Sequence, residues 1–232
     1  MDTISQGHTT LVALPAQLRR WGSASAGLAC VLNGVWLACM IHLAGLGDTA
    51  AQVQVEPGVF RLSLGSCLVL TLLQVPILLA MAATAFERAP VASLIGGVVY
   101  ALYVPLNLIG YFAFGRLAPL VHTAPAQTAN APLVASLIEI GGPFAITGIL
   151  PVLGYGVLGL AWCFLAPPLW HQGRWCRIAS LLLLTSGVLS IVGAAGAFVA
   201  IPWLCTASLL GGVISLPALA VLAVAFTHCR ID

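Results

Sequence analysis

Tyr100, Tyr103, Asn107 and Tyr111 recur at spacings of three and four, with Phe114 continuing the series, so they occupy one face of a helix. An amide and three phenols on one stripe in an apolar segment need hydrogen-bond partners that lipid does not offer. That face must turn into a helix bundle. Two readings follow from it. One is hydrogen bonding between helices, worth around 0.6 kcal/mol per contact in membrane proteins; the other is the wall of a ligand cavity. Pro105 within the same helix frees a backbone carbonyl and favours a kink, which would widen such a cavity.

The preceding apolar segment supplies a counterpart. Ser63, Cys67, Thr71 and Gln74 fall on one face, with Pro76 just below them. Earlier still, Asn33 and Trp36 share a side, while His42 lies elsewhere near the end of its helix. The sharpest single residue is Glu139, in Leu-Ile-Glu139-Ile-Gly-Gly-Pro143, an acid with apolar neighbours on both sides. A carboxylate there needs a partner, for which Arg61, Arg116 and His122 are the candidates, or a wet cavity. Read together, Glu139, Asn107, Tyr111, Tyr103, Tyr100, Thr71, Gln74 and Asn33 are the candidate ligand-binding residues, with no catalytic set and no metal ligands among them. The competing reading makes the same residues ordinary bundle contacts, with Glu139 reaching the headgroups from an interfacial helix.

The chemistry that is missing narrows the function further. The five histidines are not paired at i,i+4, which disfavours bis-His haem or a His-rich metal site. There is no H-E-x-x-H, no G-x-S-x-G and no glycine-rich phosphate loop. Two carboxylates never share a span, which argues against a proton-pumping chain or a paired-acid hydrolase. The seven cysteines form no C-x-x-C and read mainly as small hydrophobes; Cys67 and Cys205, near the same ends of their helices, are a pair that a disulfide could join, although pairing is not readable from spacing. No cofactor is indicated.

The elements that carry these residues follow from composition. Of the 232 residues 61% are hydrophobic and 6% charged, against about 25% charged in a soluble domain. No soluble fold hides that much apolar surface. The net charge of +2 and the lack of a basic stripe exclude nucleic acid as a partner. All eight basic residues are arginine, which together with the Ala, Leu and Gly richness has the look of a GC-rich bacterial genome.

Apolar runs long enough to cross a bilayer, about 20 residues each, are expected at 24–46, 62–85, 91–114, 144–168, 178–199 and 203–227. The fold expected is therefore all-α, a polytopic bundle of six transmembrane helices in a single domain, with a polar N-terminus over 1–20. Residues 115–143 form a long loop, and the apolar stretch 133–140 within it is too short to span and is broken by Gly141-Gly142-Pro143. It reads as a short interfacial or re-entrant helix before the fourth span. Three spans on each side of the loop also give halves of opposite topology, as in inverted-repeat transporters. Pro105 and Pro217 correspond between the halves, whereas Pro76 and Pro151 do not.

Arginine near helix ends is retained on the cytoplasmic side. With both termini inside, Arg19, Arg20, Arg88, Arg174, Arg177 and Arg230 lie inside and only Arg61 and Arg116 outside. The long loop then faces outward, and His42, Cys67, Thr71, Asn107 and Tyr111 sit in the outer half as the wall of a modest polar vestibule. Three classes of function fit this layout. A small transporter or binder of a small apolar or amphipathic molecule uses the polar faces. An accessory or structural subunit, with a membrane-protein partner or a second copy of the chain beside it in the bilayer, uses the minimal loops and the nearly featureless last hairpin. An intramembrane enzyme has no recognisable nucleophile or base.

A single cysteine introduced at Ala126 into an otherwise cysteine-free chain is expected to react with an impermeant maleimide applied to intact cells. Reaction only after permeabilisation would reverse the orientation.

Overall fold

The computed structural model describes residues 3–46, 49–86, 88–123, 146–199 and 201–228. They form seven α-helices: α1 Thr3–Ala44, α2 Thr49–Val55, α3 Pro57–Phe86, α4 Pro90–Thr123, α5 Ile146–Leu165, α6 Arg174–Phe198 and α7 Pro202–His228. A 3-10 turn at Pro167–His171 joins α5 to α6. All but the short α2 are long and apolar enough to cross a membrane, giving six spans. The chain is an all-helical integral membrane protein.

The six spans close into a ring in sequence order. α1 packs on α3, then α3 on α4, α4 on α5, α5 on α6 and α6 on α7, and α7 returns to α1. Helices two places apart barely touch. At one end of the ring Gly22 of α1 lies against Ala80 of α3 and Phe226 of α7. At that same end the Gln172 side-chain amide donates to the Thr84 carbonyl at 3.0 Å, and the Arg177 guanidinium stands 5.8 Å over the Trp170 ring. At the opposite end Phe60 of α3 meets Phe114 of α4 with ring centroids 5.6 Å apart.

In lipid the helices gain nothing from hiding apolar surface from one another, so close van der Waals packing has to hold them. Glycine supplies it. A Cβ on Gly159 of α5 would fall on the backbone of Gly187 of α6, and the reverse substitution meets Gly159 in the same way. Gly110 of α4 leaves room for Pro151 of α5, whose ring would lie 2.7 Å from an added Cβ. Ser186, Ser190 and Ala194 form a small-residue ridge on α6 that is buried within the ring. Ser186 Oγ donates to the Gly211 carbonyl of α7 at 2.6 Å, and Ala194 fills the space beside Gly156 of α5. The ridge is thus used inside the chain.

Several boundaries differ from those expected. α1 starts at Thr3 and runs through the polar N-terminal segment. α4 continues past 114 to Thr123 despite Pro119, because Ala118 is fully buried in a cluster with Leu43, Val53, Phe60 and Leu64 that rewards another turn of helix. The same cluster orders α2 between the first two spans, a helix absent from the sequence reading. Cys67 and Cys205 are free thiols, so the disulfide considered between them is not formed. Cys176, at the start of α6, is disulfide-bonded. The short apolar segment at 133–140, Glu139 and Arg230 lie outside the described residues.

Gly159→Val is expected to lower the thermal midpoint of the purified protein by an amount corresponding to about 1–3 kcal/mol of overpacking. Gly97→Ala, where an added methyl meets nothing within 4 Å, leaves the midpoint unchanged or raises it. Equal effects of the two in a melting experiment would contradict the glycine crossing.

Candidate functional site

An inward-facing stripe can be satisfied by a neighbouring helix or by a space, and the ring leaves a space on its axis. A cavity of about 370 Å³ occupies the half of the bundle where α1 ends and α3 begins. α1 contributes Asn33, Trp36 and Met40, and α3 contributes Phe60, Ser63 and Cys67. Opposite them stand Tyr111 and Phe114 of α4 and Pro151 and Tyr155 of α5, while α7 closes the circle with Cys205, Ser208 and Ser215. The wall is mostly apolar, with hydroxyl, thiol and amide groups set into it. Among the described residues no charged side chain lines it.

A second, much smaller cavity of about 30 Å³ lies deeper on the axis. The two share Asn33, Tyr155, Gly212 and Ser215, which form the neck between them. That neck is held by direct bonds. Asn33 Nδ2 donates to Ser215 Oγ at 2.9 Å and to the Gly212 carbonyl at 3.2 Å, and Ser215 Oγ donates to the same carbonyl at 2.7 Å. Below the small cavity the axis is filled by apolar side chains, among them Ile77, Met81, Leu165, Leu222 and Phe226. The site is therefore wide at one end and packed shut at the other.

The chain's four tyrosines meet along this axis. The Tyr100 and Tyr103 ring centroids are 5.3 Å apart, Tyr103 and Tyr155 are 6.4 Å apart, and the Tyr111 and Tyr155 hydroxyls form a hydrogen bond at 2.8 Å. Their centroid spacings fall within the range of favourable aromatic contacts. Thr71 lies next to the Tyr103 phenol, while its own hydroxyl donates back to the Cys67 carbonyl at 2.9 Å. The polar face of α3 points inward as expected, with Ser63, Cys67, Thr71 and Gln74 all buried.

Asn107 is the costliest residue of the group. It is fully buried, and neither its Oδ1 nor its Nδ2 makes a hydrogen bond. The carboxamide lies beside the Tyr103 phenol without bonding geometry and against the Gly154 backbone, where an added Cβ would be 3.0 Å from it. Leaving such a group unsatisfied costs about 1–3 kcal/mol. The Tyr100 hydroxyl and Gln74 Oε1 are also buried without a partner.

Of the residues singled out in the sequence, Asn33 and Tyr111 line the large cavity, and Asn33, Gln74 and Tyr103 the small one. Thr71, Asn107 and Tyr100 stand behind the wall, and Glu139 is outside the described residues. His42 points away from the axis and lies 3.7 Å from Glu56 at the surface, where both side chains are about half exposed. Tyr155 and the α7 residues were missed. Tyr155 had a signal, since it follows Pro151 by four residues and so shares its face. Ser208 and Ser215 had a weaker one, a spacing of seven that puts both on one face of the last span. Among the described residues no three His, Cys, Asp or Glu side chains come together as a metal site.

No protein-family model, curated protein or solved structure matches the chain. Function has to be argued from the site itself.

Asn107→Leu, a substitution of similar shape, is expected to raise the thermal midpoint of the ligand-free protein, because it removes an unsatisfied amide from an apolar setting. A fall in the midpoint would show that the amide is bonded in the native protein.

Proposed function

We propose that the chain binds a small, uncharged, apolar or amphipathic molecule in the axial cavity and acts as a small transporter or membrane receptor for it. The observation that carries this reading is the cavity's size and wall. At 370 Å³ it falls within the usual range of ligand sites, about 300–1,000 Å³. The space opens at one end of the ring, so it takes an occupant from its surroundings. Water is a poor one for a wall this apolar, and a charged molecule would lose its hydration with no counter-charge among the described lining residues.

A purely structural subunit has no use for such a space, which favours the binding reading over the accessory one. The shape also suits transport, since a site wide at one end and sealed by packing at the other corresponds to one of the two states that alternating access needs. We further propose that the wide end faces outward. Arg19, Arg20, Arg88, Arg174 and Arg177 gather at the packed end, against Arg61 and Arg116 at the wide end, and arginine is retained inside. The disulfide at Cys176 weighs the other way, because disulfides persist in oxidising compartments. We give the arginines more weight, since they act during insertion, before any thiol is oxidised. Trp203, exposed near the wide end, and Trp21 and Trp175, exposed near the other, fit the two interfacial belts.

The test is to purify the chain in native lipid nanodiscs, extract it and identify small molecules by mass spectrometry, beside a Ser63→Trp variant that fills the cavity. The wild type is expected to retain a neutral compound that the variant and empty nanodiscs lack. Indistinguishable extracts from the three would overturn the reading.

A further inference from the structure

Gln74 is an acceptor with nothing to accept. It is 5% exposed, it lines the small cavity, and its Oε1 has no hydrogen-bond partner. A buried carboxamide oxygen left this way costs about 1–3 kcal/mol, and no polar side chain of the ring has turned to relieve it. The space beside it is about 30 Å³, room for a water molecule or a group of a few atoms. Tyr103, Tyr155 and Ser190 also face that space. The large cavity lies directly above, through the neck formed by Asn33, Tyr155, Gly212 and Ser215.

These facts set the shape and chemistry of what belongs there. Only a group of a few atoms fits, so the rest of any molecule that reaches Gln74 must remain in the large cavity. With the carboxamide oxygen turned to the space, the group must donate a hydrogen bond to it. An ammonium donates, but neither cavity has a carboxylate among its described lining residues, so a cation would be desolvated without compensation. A carboxylate can only accept. A hydroxyl donates and accepts, and therefore also serves the carboxamide in its flipped orientation.

Building on the proposed binding role of the large cavity, we infer that the small cavity is its head-group subsite. It takes the hydroxyl of a neutral lipid-soluble alcohol or phenol, whose apolar body occupies the space above. Gln74 is the residue that selects the hydroxyl, and the aromatic walls formed by Trp36, Phe60 and Phe114 receive the body without further polar demands.

The experiment uses the full chain in lipid nanodiscs and two probes of matched body, 4-pentylphenol and 4-pentylanisole, the second lacking the O–H. Binding is measured by equilibrium dialysis, with the uptake of empty nanodiscs subtracted so that partition into lipid cancels. The wild type is expected to bind the phenol about tenfold more tightly than the anisole, the ratio that about 1.4 kcal/mol of hydrogen bonding produces. In Gln74→Leu the anisole affinity is retained and the phenol falls to match it. Equal binding of the two probes by the wild type overturns the inference and leaves water as the occupant of the small cavity; this comparison does not depend on any variant folding. Undiminished discrimination by a folded Gln74→Leu, or by Gln74→Met should the leucine variant fail to fold, overturns the role of Gln74. Binding of neither probe above empty nanodiscs overturns the ligand reading of the large cavity itself.

Discussion

Lipid offers neither hydrogen bonds nor a hydrophobic drive between helices, and that double lack governs this molecule. Because lipid supplies no partner, every amide, phenol and hydroxyl within a span has to turn inward. Because it supplies no drive, helices stay together only where their backbones come very close. The chain meets the second demand with glycine at successive crossings, among them Gly110 with Pro151, Gly159 with Gly187, and Gly193 with Ser208. It meets the first by aiming the polar faces of α1, α3, α4, α5 and α7 at the ring axis.

The two demands pull in different directions, and the cavity is where they part. Small residues draw neighbouring helices together around the circumference, but six helices joined only to their neighbours do not fill their own centre. At the packed end, leucines, Met81 and Phe226 are long enough to meet across the axis. Toward the other end Trp36, Phe60 and Tyr155, beside the shorter Asn33, Ser63, Cys67 and Ser215, line a space that they do not fill. The bonds these residues make, such as Asn33 to Ser215, run along the wall and clamp the neck instead of bridging the space. A mostly apolar wall with a few neutral polar groups set into it is what a weakly polar ligand requires of its site.

Much of this was legible in the sequence. Six spans followed from length and hydropathy, and the inward stripes on α3 and α4 followed from spacing, because the alternative was to expose amides and phenols to lipid. The shared side of Asn33 and Trp36 was readable on the same grounds, and both line the cavity. What stayed hidden depends on which helices are neighbours. That α7 returns to α1, and so places Ser208 and Ser215 on the cavity wall, is a consequence of ring closure that no local pattern encodes. The extension of α4 past Pro119 was also unreadable, because Ala118 gains its burial from Leu43 and Phe60, far away in the chain. Asn107, singled out by its spacing, lies buried and unsatisfied against Gly154, outside the lining of these two cavities.

The central claim is that the axis of the ring holds a small molecule at the end where Trp36, Phe60 and Tyr155 face one another. Electron cryomicroscopy of the chain in native lipid nanodiscs tests it most directly. The account predicts non-protein density within the cavity, extending through the neck at Asn33 and Ser215 toward Gln74. A ring in which α1 and α7 have moved in until side chains meet across the axis, leaving no space between Trp36 and Tyr155, would contradict it.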